Sequence, residues 1–243
     1  VNAVTKSGSN EWKGGVNVSY YPDSFYHDKP NTYSSLNDQD TRDYMEYNVS
    51  LSGPIIPDRA FFYILANPVD NQTSDTAISG NRTDSNLQED FFGAKLDFYI
   101  TEDIHLEYTF FNDDSMGENL SFDSTGTQIG TSFNNVGGDN EILKLSAVLS
   151  DRLTAAATMG KNTYERTVAG TGDACPWVWW PYPTNRPGCA TSGIVSSGTD
   201  EREIFKFDVD YYIGNHHLRF GIENEDLTAS DTCLLYTSPS PRD

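Results

Sequence analysis

Apolar and polar residues alternate with a period of two along most of this chain, the pattern of β-strands that bury or present one face only. Phe92, Ala94, Leu96, Phe98 and Ile100 oppose Gly93, Lys95, Asp97 and Tyr99. Ile104, Leu106, Tyr108 and Phe110 oppose His105, Glu107 and Thr109, and Leu143, Leu145, Ala147 and Leu149 oppose Lys144, Ser146 and Val148. Leu153, Ala155, Ala157 and Met159 continue more weakly. Phe205, Phe207, Val209 and Tyr211 oppose Lys206, Asp208 and Asp210, and Leu218, Phe220 and Ile222 oppose Arg219, Gly221 and Glu223. Earlier strands are predicted at Gly14–Tyr21, Glu46–Gly53 and Ala60–Asn67; Phe61 to Leu65 is apolar on both faces, which leaves its orientation open. The pattern predicts about nine strands, one alone and then four hairpins.

The connections are of two kinds. Thr101-Glu102-Asp103, Ser150-Asp151-Arg152 and Gly214-Asn215-His216 are tight turns, and Gly53 to Arg59, with Pro54 and Pro57, reads as a connection, because proline does not suit a central strand. The stretches Pro22–Met45, Pro68–Glu89, Asn112–Asn140 and Glu165–Glu201 read as long polar loops, all on the opposite side of the hairpins. Compact domains rarely carry several structureless loops of such length. Transmembrane β-barrels do, with short turns at one end and long loops at the other. Alternation alone fits either a soluble sandwich, whose apolar face packs on a second sheet, or a barrel, whose apolar face meets lipid. Lipid is favoured by strands of about 9–11 residues, the length a tilted strand needs to cross a bilayer. It is favoured too by ionised groups repeating on the opposite face, and by aromatic pairs such as Tyr20-Tyr21, Phe91-Phe92 and Tyr211-Tyr212 at predicted strand ends.

Composition narrows the classes. The chain has 243 residues and a formal charge of −20, with 36 acidic against 16 basic side chains, which argues against a nucleic-acid partner. Aromatic residues make up 13%, too many for a disordered chain. No apolar run approaches the roughly 18 residues of a membrane helix. The first residue is Val1 and no signal-like segment precedes the strands, so the sequence reads as an internal fragment.

Three stretches carry a family resemblance. Val1-Asn2-Ala3-Val4-Thr5-Lys6-Ser7-Gly8-Ser9-Asn10-Glu11-Trp12-Lys13-Gly14 resembles the plug-to-barrel junction of TonB-dependent outer-membrane receptors. Leu51-Ser52-Gly53-Pro54-Ile55-Ile56-Pro57-Asp58-Arg59-Ala60-Phe61-Phe62-Tyr63 is similar to a hairpin of the Oar-like branch, departing from it at Ser52 and Pro57. Phe205 to Asp208 and Gly214 to Gly221 resemble a later hairpin of the same branch. The resemblance implies an all-β fold: a partial transmembrane antiparallel up-and-down β-barrel, about nine strands of a larger barrel of about 22. It implies an outer-membrane transporter for a scarce solute in a Gram-negative bacterium, a receptor and not an enzyme, with outer-membrane lipid and the TonB complex as partners and no cofactor. The expected organisation is residues 1–13 as plug end and junction, 14–226 as barrel, and 227–243 as a non-native or unstructured tail. That tail, Cys233 to Asp243, looks like translated sequencing adapter; a Ser/Pro-rich linker is the alternative.

Candidate chemistry is sparse. No Ser-His-Asp order, nucleophile elbow or phosphate loop is present, nor a CxxC pair or HExxH, so neither catalysis nor a metal is expected. Adjacent His216 and His217 point to opposite faces of a strand. Asp23, Asp28, Asp38, Asp40 and Asp43 lack EF-hand spacing, so solvation is the simpler reading than calcium. The ligand candidates are Trp177, Trp179, Trp180 and Tyr182, which either stack on a solute or pack on each other. Cys175 and Cys189 flank that loop, as a disulfide or as two thiols. A secreted β-sandwich adhesin or carbohydrate-binding module using the Trp loop is the alternative function; nothing positive points to a hydrolase.

Overall fold

A computed structural model describes residues 6–27, 29–170 and 195–234. All strands join one antiparallel sheet. They are β1 (Lys13–Tyr21), β2 (Thr41–Ile56), β3 (Ala60–Thr76), β4 (Arg82–Thr101), β5 (Ile104–Phe122), β6 (Gln128–Gly137), β7 (Asp139–Ser150), β8 (Leu153–Gly170), β9 (Val195–Ile213) and β10 (His216–Leu234). Each pairs with its sequence neighbour, except that β6 and β7 both lie between β5 and β8. Their registers are continuous: Ser115 faces Val136 and Asn112 faces Asp139, and on the other side Gly137 faces Glu165 and Asn140 faces Asn162. β6 and β7 are therefore one pass, interrupted at Gly137-Gly138, and the sheet has nine positions, as the alternation predicts. The interruption has a steric cause. Gly137 has φ +126°, and a Cβ there would come within 2.5 Å of the Asp113 carbonyl oxygen; a Cβ on Gly138 would overlap the Thr163 carbonyl oxygen. Only glycine lets three backbones approach at this point.

The strands are much longer than the alternation predicts. β3, β4, β5, β8, β9 and β10 run 17–20 residues. Two of the expected loops are mostly strand: Pro68–Glu89 contains the end of β3 and the start of β4, joined by residues 77–81, and Asn112–Asn140 contains the end of β5, all of β6 and the start of β7, with residues 123–127 as the turn. Asn, Asp and Ser have low or middling β preference, but once the lower ladder sets the register the pairing continues through them. The signal failed because both faces of these extensions are mostly polar, with apolar residues too sparse to mark a period. Phe91 and Phe92 consequently lie in mid-strand, where the apolar face ends. Residues 22–27 and 29–40 do belong to a long connection, whose later part folds over the β3–β4 turn: Ser35 bridges Ala77, and the Thr76 amide donates to Asp40 Oδ1 at 2.8 Å. Pro54 is in the β2 ladder opposite Phe61, at the edge of a bulge; the connection is only residues 57–59.

Part of the stretch expected as a tail is strand. β10 continues past Asp226 to Leu234, with Leu227 opposite Arg202 and Leu234 opposite Val195. Asp231 Oδ2 accepts from Arg166 Nη2 at 2.8 Å, and Cys233 is exposed with a free thiol. This stretch is ordered by the β9 edge, whatever its own composition.

The two faces of the sheet are inverted relative to a soluble protein. Tyr47, Val49, Leu51, Leu96, Phe98, Leu143, Leu145, Phe220 and Ile222 are exposed, whereas Ser52, Lys95 and Asp97 are buried. Lys95 and Asp97 are 7% and 3% exposed, against 44% for the Leu96 between them. The ambiguous strand is resolved by register: Phe62 and Ile64 face the apolar side with Leu96 and Ala94, and Phe61, Tyr63 and Leu65 face the sheltered polar side.

Candidate functional site

The sheltered face near the short-turn end carries an ionic cluster that no local motif announces. Inward positions of β4 and β5 supply Lys95, Asp97, His105 and Glu107, and β7 supplies Lys144. Lys95 Nζ lies 2.8 Å from Glu107 Oε1 and 3.6 Å from Asp97 Oδ1. Lys144 Nζ lies 3.2 Å from Glu107 Oε2. His105 Nε2 lies 3.1 Å from Asp97 Oδ1, and its ring stacks on Tyr99 at 4.3 Å with an interplanar angle of 11°. Buried charge on this scale persists only when paired, and here two lysines balance two carboxylates.

Ligand atoms of Asp97, His105 and Glu107 lie within 4.8 Å of one another, close enough to hold a cation. The two ammonium groups already occupy the countercharge role, so the cluster is electrostatically complete without a metal. Its structural use is visible in the chain that crosses it. Lys95 Nζ donates to Ser7 Oγ at 2.9 Å. Three residues on, Asn10 and Asp58 exchange hydrogen bonds: Asn10 Nδ2 donates to Asp58 Oδ1 at 2.6 Å, and the Asp58 amide donates to Asn10 Oδ1 at 2.8 Å. Asp58 sits at φ +63° in the β2–β3 turn. Trp12 then packs edge-on against Phe62, at 5.5 Å, on the apolar side. Residues 7–12 thus pass from the sheltered face, under the β2–β3 turn, to the opposite face, and β1 starts there.

The same arrangement of side chains recurs at the β9–β10 turn. His217 Nε2 lies 2.6 Å from Asp210 Oδ1, and its ring stacks on Tyr212 at 4.4 Å and 7°. Asp97-Phe98-Tyr99 with His105, and Asp210-Tyr211-Tyr212 with His217, are two copies of one cross-strand clamp. In both, Tyr and His are direct partners in the ladder. The first copy has one more residue between Tyr and His because of the bulge at Tyr99/Thr101. His217 is therefore committed to Asp210 and Tyr212.

The acidic loop residues take backbone donors. Asp23 Oδ1 accepts from the Arg42 amide at 2.8 Å, and Asp43 Oδ1 accepts from the Asp23 amide at 3.2 Å. With Asp40 on Thr76, these carboxylates shape the connection and form no cation cluster among the described residues; Asp28 lies outside them. Trp177, Trp179, Trp180 and Tyr182, together with Cys175 and Cys189, also lie outside the described residues. What sequence reasoning missed is the ionic cluster and the repeated clamp. The repeat of Asp-x-Tyr, turn, His was available as a signal; the Ser7–Lys95 contact, 88 residues apart, was not. No protein-family model, no curated protein and no solved structure matches the chain.

Proposed function

We propose that this chain is part of the wall of a TonB-dependent outer-membrane transporter, taking up a scarce solute across a Gram-negative outer membrane. The observation that carries the reading is the inverted exposure of the sheet within the apolar band, with its apolar side chains outward and Ser52, Lys95 and Asp97 sheltered. A β-sandwich would need a second layer over the apolar face, and the described residues form one sheet.

The register supports lipid quantitatively. One hydrogen-bonded row runs Gly14, Leu51, Ile64, Ala94, Phe110, Glu141, Lys161, Glu203, Asp226. It begins beside the apolar residues of β1 and ends above those of β10, so the apolar band slips by roughly eight to ten residues over eight strand steps. At about 3.3 Å per residue and about 4.8 Å between strands, a level band requires strands tilted by roughly 35–40°, within the range of membrane barrels. Phe92 to Ile100 on β4 covers about 26 Å along the strand and roughly 20 Å vertically at that tilt, close to the lipid-facing band of such barrels, about 25 Å tall. Directly above it, the same face carries Asp90, Asp114, Glu141, Glu203 and Asp226, a boundary that ionised groups impose because they do not reside in hydrocarbon.

The path of residues 7–12 supports a preceding domain on the sheltered side, as the plug-to-barrel resemblance implies. β1 and β10 each have an unpaired edge among the described residues. In lipid such edges cost several kcal/mol per group, so further strands would complete the barrel. In the complete receptor, outer-membrane lipid covers the band, and the TonB complex acts on the plug to release solute inward.

The test uses the complete gene product with a protease site inserted at Gly126 or at Asn215. We expect it in the outer-membrane fraction, cut from outside intact cells at 126 only. A soluble product removes the membrane reading, and cleavage at 215 alone inverts the orientation. Solute accumulation that persists in a TonB-null strain removes the transporter class.

A further inference from the structure

The sheltered face is not uniformly polar. Over β8 to β10 it is an ionic ladder, with Arg166 between Asp200 and Asp231, Arg202 on Glu225, and Lys206 between Asp208 and Glu223. Over β2 to β5 it carries Tyr63, Leu65, Phe91 and Phe111, which line a cavity of about 500 Å³. Aromatic side chains on a water-facing wall gain nothing from water, and three rings converging on one cavity are a contact surface for another ring. Phe91 and Phe111 are stacked with centroids 6.1 Å apart and planes at 27°. Gly93 is the ladder partner of Phe111 and lies two residues along β4 from Phe91, and a Cβ there would meet the Phe91 ring at 3.3 Å. The absence of that side chain lets Phe91 lie against the sheet and keeps the cavity open. Its size is that of a small-molecule site.

The rim is cationic. Lys95 lines one side, although Glu107 and Asp97 neutralise it. Lys6 also lines the cavity and forms no ion pair among the described residues, so its charge is available to a ligand. We propose that this cavity binds a planar aromatic carboxylate, with the ring against Tyr63, Phe91 and Phe111 and the acid group directed to Lys6. Stacking supplies contact area, and the ammonium selects the anion over a neutral ring of the same size. The site lies on the sheltered face and does not depend on what covers the opposite one.

Isothermal titration of 2-naphthoate into the purified protein, in zwitterionic detergent, tests this. Saturable binding of one equivalent is expected, with a dissociation constant of about 0.1–1 mM for a ligand of this size. Lys6→Glu turns an attraction into a repulsion and weakens naphthoate roughly 5- to 30-fold, while the neutral analogue naphthalene-2-methanol keeps its affinity. Phe111→Leu keeps the wall apolar but removes the stacked ring, and weakens both ligands. Lys6 is exposed on the segment before β1, so its variant folds normally; circular dichroism confirms this for both. A linear, unsaturable heat overturns the proposal, as does naphthoate binding that is unchanged in both variants. A cavity already filled by another stretch of the same protein gives the first of these results.

Discussion

Leu145 and Ser146 are adjacent in β7 and face opposite sides, so one arginine at each position tests which side meets lipid. Leu145 is 40% exposed on the apolar face, paired with Leu106 on one side and Ala157 on the other. It lies between Leu143 and Leu149, within one residue of the middle of the apolar run of its strand. On the membrane reading, a two-residue step along a strand tilted by roughly 35–40° changes depth by only about 5 Å, which would put Leu145 near the centre of a lipid-facing band about 25 Å tall. Arginine at that depth costs about 2–4 kcal/mol, which is roughly a 30- to 900-fold loss in the folding equilibrium. Ser146 is half-buried on the sheltered face, opposite His105 and Ala156 and two residues from Lys144. Arginine there adds a like charge in a hydrated, carboxylate-rich wall, a cost of about 0–1 kcal/mol. Urea titration of the complete barrel in phosphatidylcholine vesicles measures both. A difference below about 1 kcal/mol, or a larger loss at Ser146, would falsify the facing assignment and with it the membrane reading.

Four further expectations follow from local geometry. Gly138→Ala places a methyl on the Thr163 carbonyl at the β6–β7 break and should cost about 1–3 kcal/mol; Gly126→Ala, at φ +83° with open space around it, should cost about 1–2 kcal/mol from backbone strain alone. Equal midpoints in urea for Gly138→Ala and the parent would remove the steric account of the break. Truncation after Asp226 deletes the Asp231 partner of Arg166 and uncovers residues 195–202, so their amides should lose protection in hydrogen exchange while those of β2–β4 keep it; retained protection would show that the end of β10 does not hold the β9 edge. Asp123 closes the β5–β6 turn by accepting from the Thr125 hydroxyl at 2.6 Å and from the Thr125 and Thr127 amides, which hold its carboxyl below the usual carboxylate range. A depressed folded pKa makes the turn stable above the ordinary aspartate range and weakens it as pH falls through the lowered value. Exchange of the Thr127 amide should therefore, once intrinsic rates are corrected, accelerate at acid pH in the parent and be pH-independent in Asp123→Ala; the same profile in both would discard the role of this carboxylate.

How much of this was legible depends on whether the two faces of a strand see different surroundings. Where one face is apolar and the other polar, as at Phe92–Ile100 or Phe205–Tyr211, period-two alternation located the strand and separated its two faces. Above the band both faces are polar, and a stretch such as Val69–Thr76 has the composition of a loop, yet it pairs residue for residue with Arg82–Glu89. Nothing in those residues selects a strand; the ladder below them does, because extending an existing register costs only the ordering of the next residue while adding hydrogen bonds. The same reasoning explains the tail, where β10 follows β9 beyond the last alternating residue. The ionic cluster fails for a different reason. Its members were readable one by one as polar-face residues, but Lys144 reaches Glu107 only because Gly137-Gly138 breaks the β6–β7 pass without shifting its register. A break that moved the register by one residue would turn Lys144 to the apolar side and Leu145 inward. The two glycines thus admit the close backbone approach at the break, while the unbroken register across it sets both the sheltered charge balance and the outward apolar band.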